Sequence, residues 1–338
     1  MPSEPARDVT LVIPARNAGR TIAACLDAVI AIRDAPGSRL ARILLVDDGS
    51  TDDTVAIATD RGIEVLHSGG SGAGAGAARN AGIAAATTPL VWFVDADCIA
   101  APDALDRLTP HLDDPAVAGV GGTYAIAPDA TLLERLIHEE IKVRHDAMPE
   151  ETDFLATFDV LYRRDVLDAL GGFDVRYLKG QDAELGFRVL AAGHRLRFER
   201  RSEVRHHHAD RLTRYLRVQR QQGYWRVALH LEHPGRGANS YSGTLDHLQP
   251  FVAAGLLGSS PAILWWPWGA VVPAAIGLLL LVLQTPMTAR MIRRAGPAMI
   301  WFAALGWIRA IWRAVGLAHG VIDRTFGRGG IAARGGVA

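Results

Sequence analysis

The sequence predicts an α/β fold with a mostly parallel central sheet, followed by a strongly apolar C-terminal helical region. Three observations carry this. Up to about residue 235, short apolar runs alternate with helical stretches, the pattern of a sheet covered by helices on both faces. Polar residues cluster where the apolar runs stop, the edge at which such sheets bind ligands. Between residues 250 and 289 there is no Asp, Glu, Lys, Arg or His.

Strands are predicted at residues 9–14, 43–47, 63–66, 90–94 and 117–121, each a short aliphatic run bounded by turn residues. Helices are predicted between them at 21–32, 51–60, 76–86 and 102–112. Further helices are predicted at 132–145, 182–192 and 211–232, and a short strand ends at His206. The first strand ends in Pro14-Ala15-Arg16-Asn17, the second in Asp47-Asp48-Gly49-Ser50, the fourth in Asp95-Ala96-Asp97.

The fourth strand is the most telling. Alternation of side chains sends Asp95 and Asp97 roughly the same way at its carboxyl end. Two carboxylates side by side repel, so they need a cation, a proton or a sugar hydroxyl between them. A hard divalent ion that also grips phosphate oxygens fits best; a solvated loop after a strand would carry the same triplet. The glycine-rich segment 69–76 follows a strand and opens a helix, as a dinucleotide fingerprint does. It lacks the full spacing, because Ala77 stands where the third glycine belongs. It reads instead as a mobile loop bordering a nucleotide.

Bulk properties narrow the class. The chain has 338 residues, with 36 basic and 36 acidic side chains. A net charge of zero gives no reason to expect nucleic-acid binding. Two cysteines, Cys25 and Cys98, are too few and too scattered for a disulfide framework, which suits a reducing compartment. The polar first eight residues do not read as a signal peptide.

A spanning helix needs about 20 apolar residues, so the charge-free stretch has room for two rather short passes turning at Trp265-Trp266-Pro267-Trp268. One long tilted pass, a re-entrant hairpin or a buried core helix would use the same residues. Arg290, Arg293 and Arg294 follow it, and eleven arginines against four acids lie between Arg195 and Arg236. Two basic flanks place both ends on the cytoplasmic side of a cell membrane. Residues 298–322 are apolar but carry Arg309 and Arg313 one helical turn apart, which favours a helix lying in the interface over a third span. The expected organisation is a domain at 1–235, a transmembrane hairpin at 236–290, and an interfacial amphipathic helix with a basic tail at 291–338.

Six motifs, in order, resemble the family 2 glycosyltransferases of GT-A fold. They are Val12-Ile13-Pro14-Ala15-Arg16-Asn17; Leu45-Val46-Asp47-Asp48-Gly49-Ser50-Thr51-Asp52; Ala77-Ala78-Arg79-Asn80-Ala81-Gly82; Phe93-Val94-Asp95-Ala96-Asp97; Gly171-Gly172-Phe173-Asp174; and Gln181-Asp182-Ala183-Glu184-Leu185. The resemblance covers roughly residues 10–223. It implies inverting transfer of a sugar from a nucleotide-diphosphate donor, a UDP-sugar by family frequency. It also implies that Asp48 accepts from the base, Pro14 and Asn17 wall its pocket, and Asp95 reaches the ribose. Arg79 would lie close to Asp95 or the phosphates. Asp97 would hold Mn²⁺ or Mg²⁺ on the diphosphate, with His206 (or His207 or His208) approaching the metal. Asp182 would be the base that activates the acceptor hydroxyl; an aspartate at a helix start also serves as a cap. Where the family usually has Glu-Asp, this chain has Gln181-Asp182, which puts the tuning of acceptor binding in doubt.

The expected acceptor is a lipid-linked saccharide or another glycoconjugate, because an anchored enzyme meets bilayer-confined substrates. A sugar nucleotidyltransferase would instead need a basic glycine-rich loop directly after the first strand, where Pro14-Ala15-Arg16-Asn17 stands. A sensor or scaffold that binds sugar nucleotides without turnover would not need Asp97 and Asp182 together.

Overall fold

The computed structural model describes residues 8–70, 72–234 and 240–326. Ser71, the expected boundary at Gly235, Arg236 and the basic tail with Arg328 and Arg334 lie outside the described residues. In chain order the first elements are β1 (Val9–Ala15), α1 (Ile22–Asp34), β2 (Leu40–Asp47), α2 (Thr54–Asp60), β3 (Glu64–His67), α3 (Ala75–Ala85), β4 (Leu90–Val94) and β5 (Cys98–Ala100). Then come α4 (Ala104–Leu108), β6 (Val117–Ile126), α5 (Leu132–Ala147), β7 (Glu151–Thr152), β8 (Asp159–Arg163), α6 (Arg164–Leu170), α7 (Gln181–Ala191) and β9 (Arg195–His206). The chain continues through α8 (Leu212–Glu232), α9 (Thr244–Ser259), α10 (Val271–Val282), α11 (Thr285–Ala295) and α12 (Phe302–Thr325). These elements form two compact units. Among the described residues the first holds 8–127 and 148–207, the second 128–147 and 208–326.

The first unit is one nine-stranded sheet with path β3-β2-β1-β4-β8-β6-β9-β5, and β7 added to β9. Its first four strands are parallel, as predicted. β8 then runs antiparallel to both β4 and β6. The sequence reading has no strand there, because β8 is only five residues long and sits between a loop and a helix. Leu11 and Ile13 of β1 pack with Ile22, Leu26, Trp92 and Val94 in the main apolar core. The opposite face carries α3, and a Cβ on Gly82 would lie 2.3 Å from Val12 Cγ1. Pro14 is tolerated in a central strand because the ladder from β1 to β4 stops at Val12.

The second unit is helical. One apolar cluster joins Leu136 and Ile137 of α5, Tyr215 and Leu216 of α8, Met291 of α11, and Phe302 and Leu305 of α12. Another joins Ala253, Leu256, Leu280, Ala310 and Ala314 across α9, α10 and α12. Buried charges run between them. Glu140 pairs with Arg144 at 2.6 Å and with Arg309, and Arg144 grips Asp246 through both terminal nitrogens at 2.6 and 2.7 Å. α5 thus turns Glu140, Arg144 and His145 inward. Burial, aided by Lys142, His138 and Arg144, pushes His145 down to about 3, so it is neutral at physiological pH. The arginine face of α12 is occupied by protein: Arg309 meets Glu140, and Arg313 donates to Gln219 at 2.8 Å and Gln222 at 3.1 Å.

α8 and α12 touch backbone to backbone. A Cβ on Gly316 would lie 2.0 Å from the Arg220 carbonyl oxygen, and one on Gly223 would lie 2.2 Å from that of Arg313. Backbone cannot yield as a flexible side chain does, so Gly316→Val should lower the unfolding free energy of the full chain by about 1–3 kcal/mol. Gly258→Ala, whose Cβ meets open space, should cost nothing. Thermal unfolding in detergent checks both, and equal melting temperatures would refute the close approach.

Candidate active site

All eight residues singled out for catalysis, donor and metal fall in the first unit. The strand ends hold them in two groups. The first is built from the ends of β1 and β2. Asn17 takes up a left-handed backbone (φ 51°), a conformation Asn tolerates better than most residues. Its Oδ1 accepts from Thr51 N at 2.8 Å, and its own N–H donates to Ser50 Oγ at 3.0 Å. The Asp48 N–H donates to the Ala15 carbonyl at 2.9 Å, continuing the ladder one step past β2. Asp47 folds back onto Gly49 and Ser50 N–H at 3.1 and 3.0 Å, fixing the turn that presents Asp48.

The Asp48 carboxylate is buried and accepts from Ser68 Oγ at 2.7 Å and Gly74 N–H at 2.9 Å. The glycine-rich segment is therefore folded onto Asp48. A carboxylate has about four lone-pair sites, so two protein donors leave acceptor capacity for a ligand. Pro14 pairs in register with Val46 and is half-buried beside this turn.

The second group is centred on Arg79. α3 delivers this guanidinium, whose side chain is 4% exposed, into the sheet edge, where Nη2 donates to Asp95 Oδ1 at 2.7 Å. With the Gln181 amide oriented to satisfy both its ends, Nη1 donates to Gln181 Oε1 at 2.8 Å while Nε2 donates to the Tyr177 carbonyl at 3.0 Å. The guanidinium carbon lies 5.6 Å from the centre of the Phe173 ring. The neighbouring Asn80 clamps that loop from the other side. Its amide donates to the Phe173 carbonyl at 2.8 Å and accepts the Phe173 N–H at 2.7 Å. A Cβ on Gly172, itself at φ +69°, would lie 2.4 Å from Asn80 Oδ1, so glycine is required there. The Arg-Asn pair of α3 thus ties the Asp95 strand end to the loop that leads into α7.

Asp97 and His206 meet across the short ladder of β5 with β9. The register sets Cys98 opposite His206 and brings His206 Nε2 to 3.3 Å from Asp97 Oδ2. Asp97 Oδ1 lies 3.8 Å from Cys98 Sγ. One ligand atom from each of Asp97, Cys98 and His206 falls within 4.8 Å of the others. His206, of the three consecutive histidines, is the one at Asp97. His208 belongs to the second unit, where its ring nitrogen lies 3.4 Å from that of His138. Burial pushes the Cys98 thiol well up, and the Asp97 and Asp95 charges push it further, so it stays protonated. Burial also raises Asp95; Arg79 opposes this and the Asp97 charge adds to it.

Asp182 stands in the first turn of α7. Its Oδ1 accepts the Ala183 N–H at 2.9 Å. Burial raises its carboxyl above the usual carboxylate range, against the Ala183 N–H and the positive charges of Arg79 and Lys179. The influence of Arg79 places Asp182, Gln181, Asp95 and Asp97 in one electrostatic neighbourhood. The glycine-rich segment reaches both groups: Gly74 N–H donates to Asp48, and a Cβ on Gly76 would lie 2.9 Å from the terminal amide of Gln181.

Sequence reasoning missed Asp159, the first residue of β8. It is fully buried beneath Asp95-Ala96-Asp97 in the strand next to β4, accepting from Trp92 Nε1 and from Ser202 Oγ, both at 2.8 Å. Burial pushes it up to about 6, against those two hydrogen bonds. Its one sequence signal is an acid at the head of the apolar run Val160-Leu161-Tyr162.

The model of the family described as glycosyl transferase family 2 matches residues 10–171. The pre-mycofactocin glycosyltransferase of Mycobacterium tuberculosis is 29% identical over 326 residues, 93% of this chain and 64% of that protein. This chain therefore spans about two thirds of that relative's length. An uncharacterized glycosyltransferase of the same organism is 32% identical over 193 residues, 56% of this chain and 81% of the relative. An O-antigen chain rhamnosyltransferase of Salmonella typhimurium is 27% identical over 214 residues, 59% of this chain and 66% of that protein. Among solved structures, a mannosyltransferase from Pyrobaculum calidifontis in complex with GDP-Man and Mn²⁺ superposes with a TM-score of 0.59. It is 17% identical, with 95% of this chain and 90% of that one covered, and the likeness identifies the shared GT-A fold.

Proposed function

This chain belongs to glycosyl transferase family 2, and from that membership we propose that it transfers a sugar, with inversion, from a nucleotide-diphosphate donor to a hydroxyl of a lipid-linked saccharide or other glycoconjugate. The observation that carries the reading is the polar chain from Asp182 through Gln181, Arg79 and Asp95 to Asp97 and His206, along one end of the sheet. In the proposed assignment Asp48, Pro14 and Asn17 form the base pocket, Asp95 takes the ribose, and Arg79 holds Asp95 in place.

The donor set at Asp97 and His206 fits a divalent ion of the Mn²⁺ or Mg²⁺ kind, one carboxylate and one imidazole converging. When bound, such an ion would supply positive charge to the departing diphosphate. Asp182 accepts the proton of the acceptor hydroxyl, on the face away from the leaving group. Arg79 keeps Asp95 and the loop before α7 in fixed register, so that base and donor subsites keep their spacing.

The large exposed apolar residues of α9, α10, α12 and the bend between α9 and α10, Phe251 and Trp265 among them, support association with a membrane. We assign it to the inner membrane with the catalytic unit on the cytoplasmic side, in keeping with the basic flanks. The test is turnover by the full chain in detergent across UDP-, GDP- and dTDP-sugars with Mn²⁺ or Mg²⁺. Metal-dependent release of a nucleoside diphosphate with one of them is expected. Tight nucleotide-sugar binding with no release from any would identify a sensor instead.

A further inference from the structure

We infer that the hairpin of α9 and α10 enters one leaflet of the bilayer and returns, so that the chain is held at the membrane without crossing it. The inference rests on the membrane reading above and specifies how the bilayer is met. The bend of this hairpin is the most exposed apolar part of the second unit: Leu264 is 83% exposed, Trp265 86% and Trp268 73%. No charged residue or histidine occurs from residue 250 to 289. Nothing in the described chain covers these side chains, and an exposed apolar patch of this kind marks a surface that meets lipid.

Residues 271–295 together, α10 running through a short turn into α11, are long and apolar enough to cross, so what decides between dipping and crossing is how much of each arm is free of the protein. α10 has 12 residues, about 18 Å at 1.5 Å per residue. The other arm, residues 248–264, reaches about 25 Å by the same measure. The hydrocarbon core is about 30 Å thick. Neither arm can be lengthened from its base, because both bases are pinned to α5. Beyond α10, Gln284, Thr288 and Met291 are buried, and Arg294 of α11 pairs with Glu139 at 3.0 Å and with Asp146. At the start of α9, Asp246 is held by both terminal nitrogens of Arg144. Drawing either base deeper would carry the charged residues of α5 into hydrocarbon, which disfavours Arg, Lys and Asp strongly.

α12 offers no crossing either. The segment Pro297–Thr325 is long and apolar enough to span, but one of its faces follows α8. Arg313 donates to Gln219, Tyr224 Oη donates to Asp323 at 3.1 Å, and Arg220 approaches His319 at 3.5 Å. A spanning α12 would drag this polar helix with it. Its other face exposes Trp312, Val315 and Ile322, as a helix lying in the interface does. Exposed Arg290 and Arg293 just past the hairpin complement anionic headgroups.

The test uses the full chain in sealed vesicles, with Trp266→Cys or Trp268→Cys at the bend and Arg290→Cys at the base; native Cys25 and Cys98 are buried. A membrane-impermeant maleimide is applied from either side and again after detergent. The base cysteine should label from one side only. Both bend cysteines should label from neither side and then fully in detergent. Labelling of the bend from the side opposite the base means a crossing hairpin and overturns the inference. A bend that resists labelling even in detergent is covered by protein, a second copy included, and overturns it too. A chain that never sediments with vesicles refutes the membrane reading itself, which separates the two failures.

Discussion

Asp182→Asn should leave donor binding intact and slow sugar transfer by about 10²- to 10⁴-fold, the usual contribution of a positioned general base. The amide keeps the size of the carboxylate and can still accept the Ala183 N–H, so the first turn of α7 keeps its geometry. What it loses is the capacity to take a proton. Burial raises the Asp182 carboxyl in the folded chain, and the sign of the pH effect follows. The base works only when deprotonated, so transfer by the wild type should fall as pH drops through a pKa above the ordinary carboxylate value. The variant's residual rate should lack that limb. For stability the sign is reversed: an acid whose folded pKa is raised favours folding below its unfolded pKa, and that contribution is lost as pH rises through the folded one. At neutral pH the charged, enclosed Asp182 therefore costs stability, and Asp182→Asn should melt no lower than wild type. Donor titration, single-turnover transfer and thermal unfolding on the same two proteins decide the matter. Near-normal transfer by the variant would place the base elsewhere.

Much of the first unit was legible because its signals are local. β1, β2 and β4 are apolar runs ended by Asp, Asn or Gly, and the strands lie within a few residues of their predicted limits. The strand-end acids call for a cation, and for Asp95 the structure supplies Arg79, which spacing alone does not bring to residue 95. β8 was illegible for the same reason: five residues become a strand only because β4 and β6 flank them. Gln181 shows how a departure from pattern acquires a physical meaning. A glutamate there would set a second carboxylate against the guanidinium that already serves Asp95, whereas the amide accepts from Arg79 and donates to the Tyr177 carbonyl. In the second unit, periodicity located the arginines of α12 on one face, and an arginine face reads as a solvent or headgroup face. It faces inward here because Glu140, 169 positions earlier in the chain, supplies the opposite charge.

Asp97→Ala should abolish the metal dependence of donor binding, and with it transfer. The two acids of the strand end are not equivalent. Asp95 is already compensated by Arg79 at 2.7 Å, so Asp95→Ala would release a buried guanidinium and disturb the loop before α7 as well as the ribose contact. Asp97 is 37% exposed and faces the 18%-exposed His206 at 3.3 Å. Removing its carboxylate takes away the proposed ligand and, of the buried groups beside it, deprives the weak thiol donor of Cys98 of its acceptor at 3.8 Å, a smaller loss than a buried guanidinium's, so the variant should still fold. His206→Ala, which leaves the carboxylate in place, should weaken the ion less than Asp97→Ala does. Nucleotide-sugar titration by calorimetry, with Mn²⁺ and again with chelator, separates the cases. In the wild type chelation should weaken binding sharply; in Asp97→Ala the two titrations should coincide at the weaker value. If Asp97→Ala binds donor as tightly as wild type and still responds to chelator, the ion sits elsewhere. Asp97 would then serve only to anchor the β5–β9 ladder through His206, a role that Asp97→Asn would fill equally well.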